Sequence, residues 1–137
     1  LSADRRFCRR IETNWERFVS SLSPDCLFCK IIEGKVPCQK VFENSSVLAF
    51  KDIHPQAPVH VLLVPKAHFA DALEARQSAS PVFEPLFQAA SEVAQQLGLS
   101  EKGFRLVFNT KEHACRRVFH LHLHLLGGSQ LGGSMVG

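Results

Sequence analysis

Long apolar runs, internal repeats and a strong charge of either sign are all missing from this chain of 137 residues. No run approaches the roughly 18 apolar residues that suggest a membrane span, so we expect no contact with a membrane. The net charge of +3 suits a protein that handles small anions but not a nucleic-acid-binding protein. Because 45% of the residues are apolar, and Phe replaces the absent Tyr, the composition indicates one globular domain.

Cysteine occurs five times, an odd number, so complete pairing within the chain is impossible. Cys26 and Cys29 form a C-x-x-C motif, whereas Cys8, Cys38 and Cys115 are scattered. This usage favours a reducing compartment with a metal site over a disulfide scaffold, and we expect a cytoplasmic protein. By itself the motif is compatible with a redox pair, with half of a zinc site, or with two reduced thiols on one helical turn.

The apolar pattern predicts an α+β domain at residues 23–137, preceded by a weakly amphipathic, helical extension at residues 1–22. A short helix is expected to start at Ser23 and to end at Gly34. The longest helix is expected at residues 82–97, with Pro85 in its first turn and Gly98 as its stop. Strands are expected at residues 40–43, 47–53, 59–64, 104–109 and 119–126, the last two as an antiparallel pair.

Three histidines, His120, His122 and His124, alternate with apolar residues in the last predicted strand. Side chains alternate across a strand, so the histidines share one face at a spacing of roughly 7 Å. The other face, toward the core, carries Phe119, Leu121, Leu123 and Leu125. Neutral imidazole attacks phosphorus to form a phosphohistidine, while a neighbouring histidine holds a proton. The alternatives are solvent-facing histidines without a function and a purely metal-binding strand.

Several motifs together resemble those of the histidine-triad (HIT) family. The run His120-Leu121-His122-Leu123-His124-Leu125-Leu126 resembles its H-x-H-x-H-x-x signature. Residues 48–60 resemble its nucleoside-binding strand and loop, residues 64–68 the segment that follows, and residues 26–32 its N-terminal helix. The most similar branch is the Hint group of nucleoside phosphoramidases. The resemblance implies a HIT-like fold for residues 23–137, with an antiparallel sheet of about five strands, one long helix and a short N-terminal helix.

By this resemblance the chain hydrolyses or transfers nucleotidyl groups, with His122 as the nucleophile and a nucleotidyl-histidine as the intermediate. His124 is expected to orient His122, His120 to lie beside the phosphate or leaving group, and His60 to assist His122. The implied substrate is a purine nucleoside phosphoramidate or a related purine nucleotide, and the implied assembly is a homodimer. Dinucleoside polyphosphate hydrolysis stays open as an alternative. So does a nucleotide-binding or zinc-structural interaction protein with little turnover.

The resemblance also implies a nucleotide-binding pocket. Asp52 is expected to hold the ribose hydroxyls, although a solvated loop acid is the alternative. An apolar slot for the base is implied for Leu27, Phe28, Val36, Phe42, Phe50 and Ile53. Each of these residues has core packing as its alternative. Asn109 matches an Asn of the Hint branch.

The loop before the triad departs from the family. Residues 115–117, Cys-Arg-Arg, stand where the family has Gly-Gln-Ser. Arg117 is expected to replace the lost hydroxyl as a charged phosphate donor, or to fill the space of the phosphate. For both Arg116 and Arg117, an exposed surface charge is the alternative. The departure bears on rate and substrate choice more than on nucleotide binding.

Zinc-bearing members of the family imply a metal site on Cys26, Cys29, His68 and His120. This set has the composition of a closed, structural Cys₂His₂ site. If His120 binds zinc, it is less available for proton transfer, and His60 becomes more important. The other cysteines are expected not to be ligands.

Overall fold

The computed structural model of the protein describes residues 26–116 and 118–133. Its elements, in chain order, are α1 (Leu27–Ile32), β1 (Lys40–Glu43), β2 (Val47–Lys51), β3 (Val59–Pro65), α2 (Ala72–Ala75), α3 (Phe83–Gln96), β4 (Phe104–Phe108), a 3₁₀ turn (Glu112–Ala114) and β5 (Leu123–Gly127). The predicted helical extension at residues 1–22 and the predicted helix start at Ser23 lie outside the described residues. None of the helices in the described part is long and apolar enough to cross a membrane.

Within the described residues the five strands form one antiparallel sheet, in the order β1-β2-β3-β5-β4. This confirms the predicted α+β class, the predicted sheet and the predicted pairing of β4 with β5. Phe50 of β2 lies opposite Leu62 of β3, and Leu62 lies opposite His124 of β5. Residues opposite one another in a ladder share a face, so His124 lies on the same face as Leu62 and Phe50.

The two faces of the sheet bury different apolar clusters. The long helix α3 covers one face, where Leu86, Ala90 and Val93 pack with strand residues such as Val61 and Leu63. Helix α1 covers part of the other face. The cluster there consists of Leu27, Phe28, Ile31, Val36, Leu48, Phe50, Leu62, Val64 and Val118. The register therefore places the histidines on the α1 face, away from the long helix.

Local sequence explains the ends of α3. Pro85 lies in the first turn, where the missing N–H costs no intrahelical bond. Gly98 follows the helix at a φ of 73°, and the N–H of Leu99 then donates to the carbonyl of Ala94 at 2.8 Å. That closure is typical of a helix ended by a left-handed glycine. The predicted helix at residues 82–97 is thus one residue longer at each end than the observed one.

The predicted strand at residues 119–126 is wrong in its first half, because β5 begins only at Leu123. Before that point the chain bonds to the segment that follows β3, where the N–H of Leu121 donates to the carbonyl of Phe69 at 2.6 Å. Phe119 is 61% exposed rather than facing the core. Leu121, Leu123 and Leu125 are buried as predicted. The chain before Leu123 therefore bonds to the segment after β3 instead of extending the β5 ladder. A contact with a distant segment cannot be predicted from local periodicity.

Apolar side chains in β4 are more exposed than those of the central strands. Phe104 and Leu106, which alternate with Arg105 and Val107, are 38% and 36% exposed. The reason is that β4 is an edge strand, beyond the part of the sheet that α3 covers. Phe108, further along the strand, does contact the rings of Phe83 and Phe87 from α3.

Candidate functional site

Two clusters of polar side chains lie next to each other where α1 meets the end of β3 and the start of β5. The first, which we call the thiol cluster, consists of Cys26, Cys29, His68 and His120. The second, which we call the histidine pocket, consists of Asp52, His60, His122 and His124. The ring of Phe28 lies between them, 6.0 Å from the ring of His120 and 5.1 Å from that of His122.

The thiol cluster brings together all four of the predicted ligands. The Sγ of Cys26 lies 3.3 Å from His120 Nδ1, and the Sγ of Cys29 lies 3.4 Å from His68 Nδ1. His120 Nδ1 is also 3.5 Å from the Sγ of Cys29 and 3.1 Å from His68 Nδ1. With Zn–S near 2.3 Å and Zn–N near 2.0–2.1 Å, a tetrahedron has S···N edges of about 3.5 Å and N···N edges of about 3.3 Å. The observed separations fit these edges to within about 0.2 Å.

The tautomer and the charge of His120 are also those of a metal-binding histidine. Its Nε2 donates to the carbonyl of Pro65 at 2.9 Å, so the unprotonated Nδ1 faces the thiols. A carbonyl in this position commonly sets the tautomer of a metal-binding histidine. Burial lowers the pKa of His120 to about 4, although the bond to Pro65 raises it, so the ring is neutral near pH 7. The residues therefore fit a closed four-ligand metal site.

A backbone carbonyl sets the tautomer of His122. Its Nδ1 donates to the carbonyl of His120 at 2.8 Å, which leaves Nε2 as the unprotonated nitrogen. Burial lowers the pKa of His122; the bond to His120 opposes this effect, and the charge of Arg116 adds to it. The rings of His122 and His124 are 4.9 Å apart, closer than the 7 Å expected from ideal strand spacing, because residue 122 lies before β5 begins.

Hydrogen bonds fix the tautomers of the other two rings. The backbone N–H of Gln56 donates to His60 Nδ1 at 3.0 Å, so the proton of neutral His60 is on Nε2. That nitrogen lies 2.9 Å from His124 Nδ1, to which it donates. His124 then carries its proton on Nε2. The amide nitrogen of Asn109, 3.5 Å away, is also a donor, so this contact is not a hydrogen bond in that tautomer. His60 thus forms a hydrogen bond with His124. The predicted assistance of His60 to His122 would therefore be indirect, by way of the His124 ring.

Asp52 is buried beside this chain of rings. Its Oδ1 accepts from the N–H of His54 at 2.8 Å, an Asx-type turn that ends β2 two residues before the predicted end. Its Oδ2 lies 3.4 Å from His60 Nε2 and has no hydrogen-bond partner within the described residues. Burial raises the pKa of Asp52 to about 6, although the bond from His54 lowers it. Near pH 7 the carboxylate is therefore ionised and has an unused acceptor.

The residues suggested for the base slot do not share one environment. Leu27, Phe28 and Phe50 are completely or almost completely buried in the cluster under α1, as the core-packing alternative describes. Val36 belongs to the same cluster, and Phe42 packs against the cluster on the α3 face. Ile53, next to Asp52, is 55% exposed. Of this set, Ile53 offers the most apolar surface to a ligand.

Arg117, the expected phosphate donor, lies outside the described residues. The structure describes Arg116, for which the sequence left an exposed surface charge as one alternative. Its side chain is only 12% exposed and forms an ion pair with Asp71 at 3.0 Å. No sequence signal links these two residues, because they are 45 positions apart and only tertiary structure brings them together.

The cysteines fall into two groups. Cys26, Cys29 and Cys38 are not part of a disulfide, whereas Cys115 is disulfide-bonded. Disulfides are rare in cytosolic proteins. The cytoplasmic location inferred from cysteine usage therefore stays a prediction, and the bond at Cys115 does not favour it.

A sheet of this order, with alternating histidines at the start of β5 and a neighbouring thiol cluster, defines a histidine-triad protein. The family model described as "HIT domain" matches residues 33–131, well over half of the chain. The chain belongs to the HIT family.

Its relatives include proteins of stated activity or ligand. The purine nucleoside phosphoramidase of Escherichia coli (strain K12) is 35% identical over 81% of this chain and 93% of its own length. The "14 kDa zinc-binding protein" of Brassica juncea is 42% identical over 78% of this chain and 96% of its own length. Among solved structures, a HIT family hydrolase from Legionella pneumophila Philadelphia 1 is similar with a TM-score of 0.76 and 46% identity, covering 80% of this chain and 97% of that one.

Replacing Asp52 by Asn tests the buried charge. The fold raises the pKa of Asp52 from 3.8 to about 6, so the free energy of unfolding falls as the pH rises through this interval. His60 acts in the opposite sense, because its pKa is lowered from 6.5 to about 4 and stability is lost as the pH falls. We expect Asp52→Asn to exceed the wild type in unfolding free energy by up to about 3 kcal/mol near pH 7.5, and to equal it near pH 4.

Urea unfolding across this pH range measures the difference, with the exposed Glu101→Gln as the matched control. The control removes an exposed carboxylate and is expected to change the free energy of unfolding little. A difference for Asp52→Asn that fails to grow with pH contradicts the raised pKa.

Proposed function

We propose that this protein hydrolyses nucleotidyl bonds through a nucleotidyl intermediate on His122, with a purine nucleoside phosphoramidate as its substrate. The observation that carries the proposal is the tautomer of His122. Its Nδ1 donates to the carbonyl of His120, so Nε2 offers a lone pair in a half-buried pocket. The similarity to the E. coli phosphoramidase supports the choice of substrate.

The reaction runs in two displacements. His122 Nε2 forms a bond to phosphorus as the P–N bond breaks, and the amine leaves with the bonding electrons and takes a proton from water. His124, with its proton on Nε2, donates a hydrogen bond to the phosphoryl oxygens, and His60 holds it in that tautomer. Water then attacks phosphorus and gives its proton to the hydroxide left by the first step. The P–N bond to His122 breaks with its electrons returning to Nε2, and a nucleoside monophosphate and the neutral ring result. Ionised Asp52 accepts from the ribose hydroxyls.

Substitution of His122 by Ala is expected to lower kcat for adenosine phosphoramidate on the order of 10³-fold or more, because the nucleophile is lost. The matched control is His113→Ala, since His113 is an exposed histidine on the 3₁₀ turn. It is expected to keep wild-type turnover. Release of the amine in steady state gives the rate, and intact mass spectrometry after rapid acid quenching detects the nucleotidyl adduct on the wild type alone.

Turnover that survives in His122→Ala contradicts the assignment of the nucleophile. Binding of AMP by the wild type, without turnover of any nucleotidyl substrate, overturns the enzymatic proposal in favour of a binding module. Dinucleoside polyphosphate hydrolysis is a second candidate. It is favoured by the half-buried cation Arg116 beside Phe119, just before the triad, because a polyphosphate brings more negative charge to the pocket.

We also propose that the thiol cluster binds one structural zinc ion, which supplies a cross-link rather than a reactive centre. The support is the match of its donor separations to a tetrahedron, together with the zinc-binding relative in Brassica juncea. The four ligands come from α1, from the segment after β3 and from the segment before β5. A cross-link between them stabilises the fold around His122.

Elemental analysis is expected to find one zinc per chain in the wild type, and a strong chelator is expected to lower its melting temperature. Cys29→Ser is expected to lose most of the metal, because it removes one thiolate of the cluster. Cys38→Ser is the matched control, since Cys38 is a free thiol outside the cluster. Equal metal content in the two variants contradicts the assignment of the ligands.

We further propose a homodimer that pairs through β4. Within the described residues this strand is an edge of the sheet, and it exposes Phe104 and Leu106, two apolar side chains. Native mass spectrometry is expected to give twice the chain mass for the wild type. Leu106→Lys is expected to give monomers, whereas Leu73→Lys, at an exposed Leu of α2, is expected to leave the dimer intact. A monomeric wild type overturns this proposal.

A further inference from the structure

Arg116 is held in place by hydrogen bonds at one nitrogen of its guanidinium group and by a ring that packs on its face. Its Nη1 donates to Asp71 Oδ2 at 3.0 Å and to the carbonyl of Ala70 at 3.4 Å. The group also stacks over the ring of Phe119, with 4.3 Å between Cζ and the ring centroid. An arginine fixed in this way loses little conformational freedom when it binds a ligand.

The backbone around Arg116 is constrained as well. Residues 111–116 form a closed loop, in which the N–H of Arg116 donates to the carbonyl of Lys111 at 3.1 Å. Cys115 adopts the left-handed conformation at a φ of 62° and redirects the chain just before the arginine. Asp71 is also fixed, because its Oδ1 caps α2 by accepting from the N–H of Glu74. Both partners of the ion pair are therefore held by their own segments.

One edge of the guanidinium remains unused. The Nε of Arg116 is buried and has no hydrogen-bond partner in the described part of the chain. Within the same residues the bonds of the group all come from Nη1, so the Nε–Nη2 edge makes none. That edge presents two parallel N–H groups, which match two oxygens of a phosphate or carboxylate. A buried donor without a partner is costly, and a bound oxyanion removes that cost.

The positive charge lies beside the segment that carries the triad. The guanidinium stacks over Phe119, the residue before His120. It also bonds to the carbonyl of Ala70, and the carbonyl of the preceding residue, Phe69, accepts from the N–H of Leu121. These contacts place the cation against residues 119–121, immediately before His122.

We propose that Arg116 is a specificity-determining residue, which favours substrates whose leaving group at the nucleotidyl phosphorus is an anion, a phosphate or a carboxylate, over an uncharged amine. The proposal rests on the nucleotidyl hydrolysis proposed above and concerns its substrate class. Compared with an uncharged side chain at this position, Arg116 raises the rate for substrates that have anionic leaving groups.

The chemistry explains why the charge discriminates. With an anhydride, the bond from His122 Nε2 to phosphorus forms as the P–O bond breaks, and the phosphate or carboxylate leaves with the bonding electrons and needs no proton. A cation beside the pocket stabilises that developing charge. With a phosphoramidate, the leaving amine takes up a proton from water, and a neighbouring cation gives no such gain.

The test compares kcat/KM for two substrates that share adenosine, a diadenosine polyphosphate and an adenosine phosphoramidate. In Arg116→Gln the ratio of the first to the second is expected to fall about 10-fold or more, because a charge-assisted hydrogen bond is lost. Arg116→Lys keeps the charge without the planar fork, and its ratio is expected to fall less. Asp71→Asn, which alters the support but keeps the cation, is expected to retain most of the preference.

An equal fall with both substrates in Arg116→Gln makes the residue a structural support only and overturns the proposal. A wild type that turns over neither substrate overturns the proposed hydrolysis itself, whereas turnover with an unchanged ratio overturns only the assignment of Arg116. Should Arg116→Gln fail to fold, the wild-type ratio is measured at low and high salt. It is expected to fall as salt screens the charge, and a ratio independent of salt overturns the proposal.

Discussion

The imidazole of His120 donates from Nε2 to the carbonyl of Pro65 at 2.9 Å, and the arrangement of the site depends on this bond. It turns Nδ1 toward the thiols of Cys26 and Cys29, so the ring completes the thiol cluster. It also holds the segment before β5 against the end of β3, which delays the strand ladder until Leu123. The carbonyl of the same residue then accepts from His122 Nδ1 and leaves Nε2 of that ring unprotonated.

Hydrogen bonds therefore determine which of the two clusters each histidine belongs to. His120 belongs to the thiol cluster through its side chain and to the histidine pocket through its carbonyl. His60 and His124 form a chain whose proton positions follow from one backbone donor, the N–H of Gln56. Burial lowers the pKa of His60, His120 and His124, so these rings are neutral near pH 7.

Much of the fold and the site was predictable because their signals are local. The spacing of apolar residues indicated α3, and Gly98 marked its end; alternation and the prolines delimited β3. The ligand set came from the family resemblance, and the structure brings those residues together. The exposure of Phe104 and the role of Arg116 were not predictable. One depends on where the edge of the sheet lies, and the other on an ion pair between distant segments.

The sequence by itself determined the α+β class, the order of the elements and the three alternating histidines, because hydrophobic periodicity and turn residues act over a few positions. Only the tertiary structure decided which histidine has an unprotonated Nε2, which faces the thiols and which supports another ring. Those properties depend on hydrogen bonds to Pro65, Gln56 and the backbone of the triad itself. Imidazole has two nitrogens, and a sequence does not record which one carries the proton.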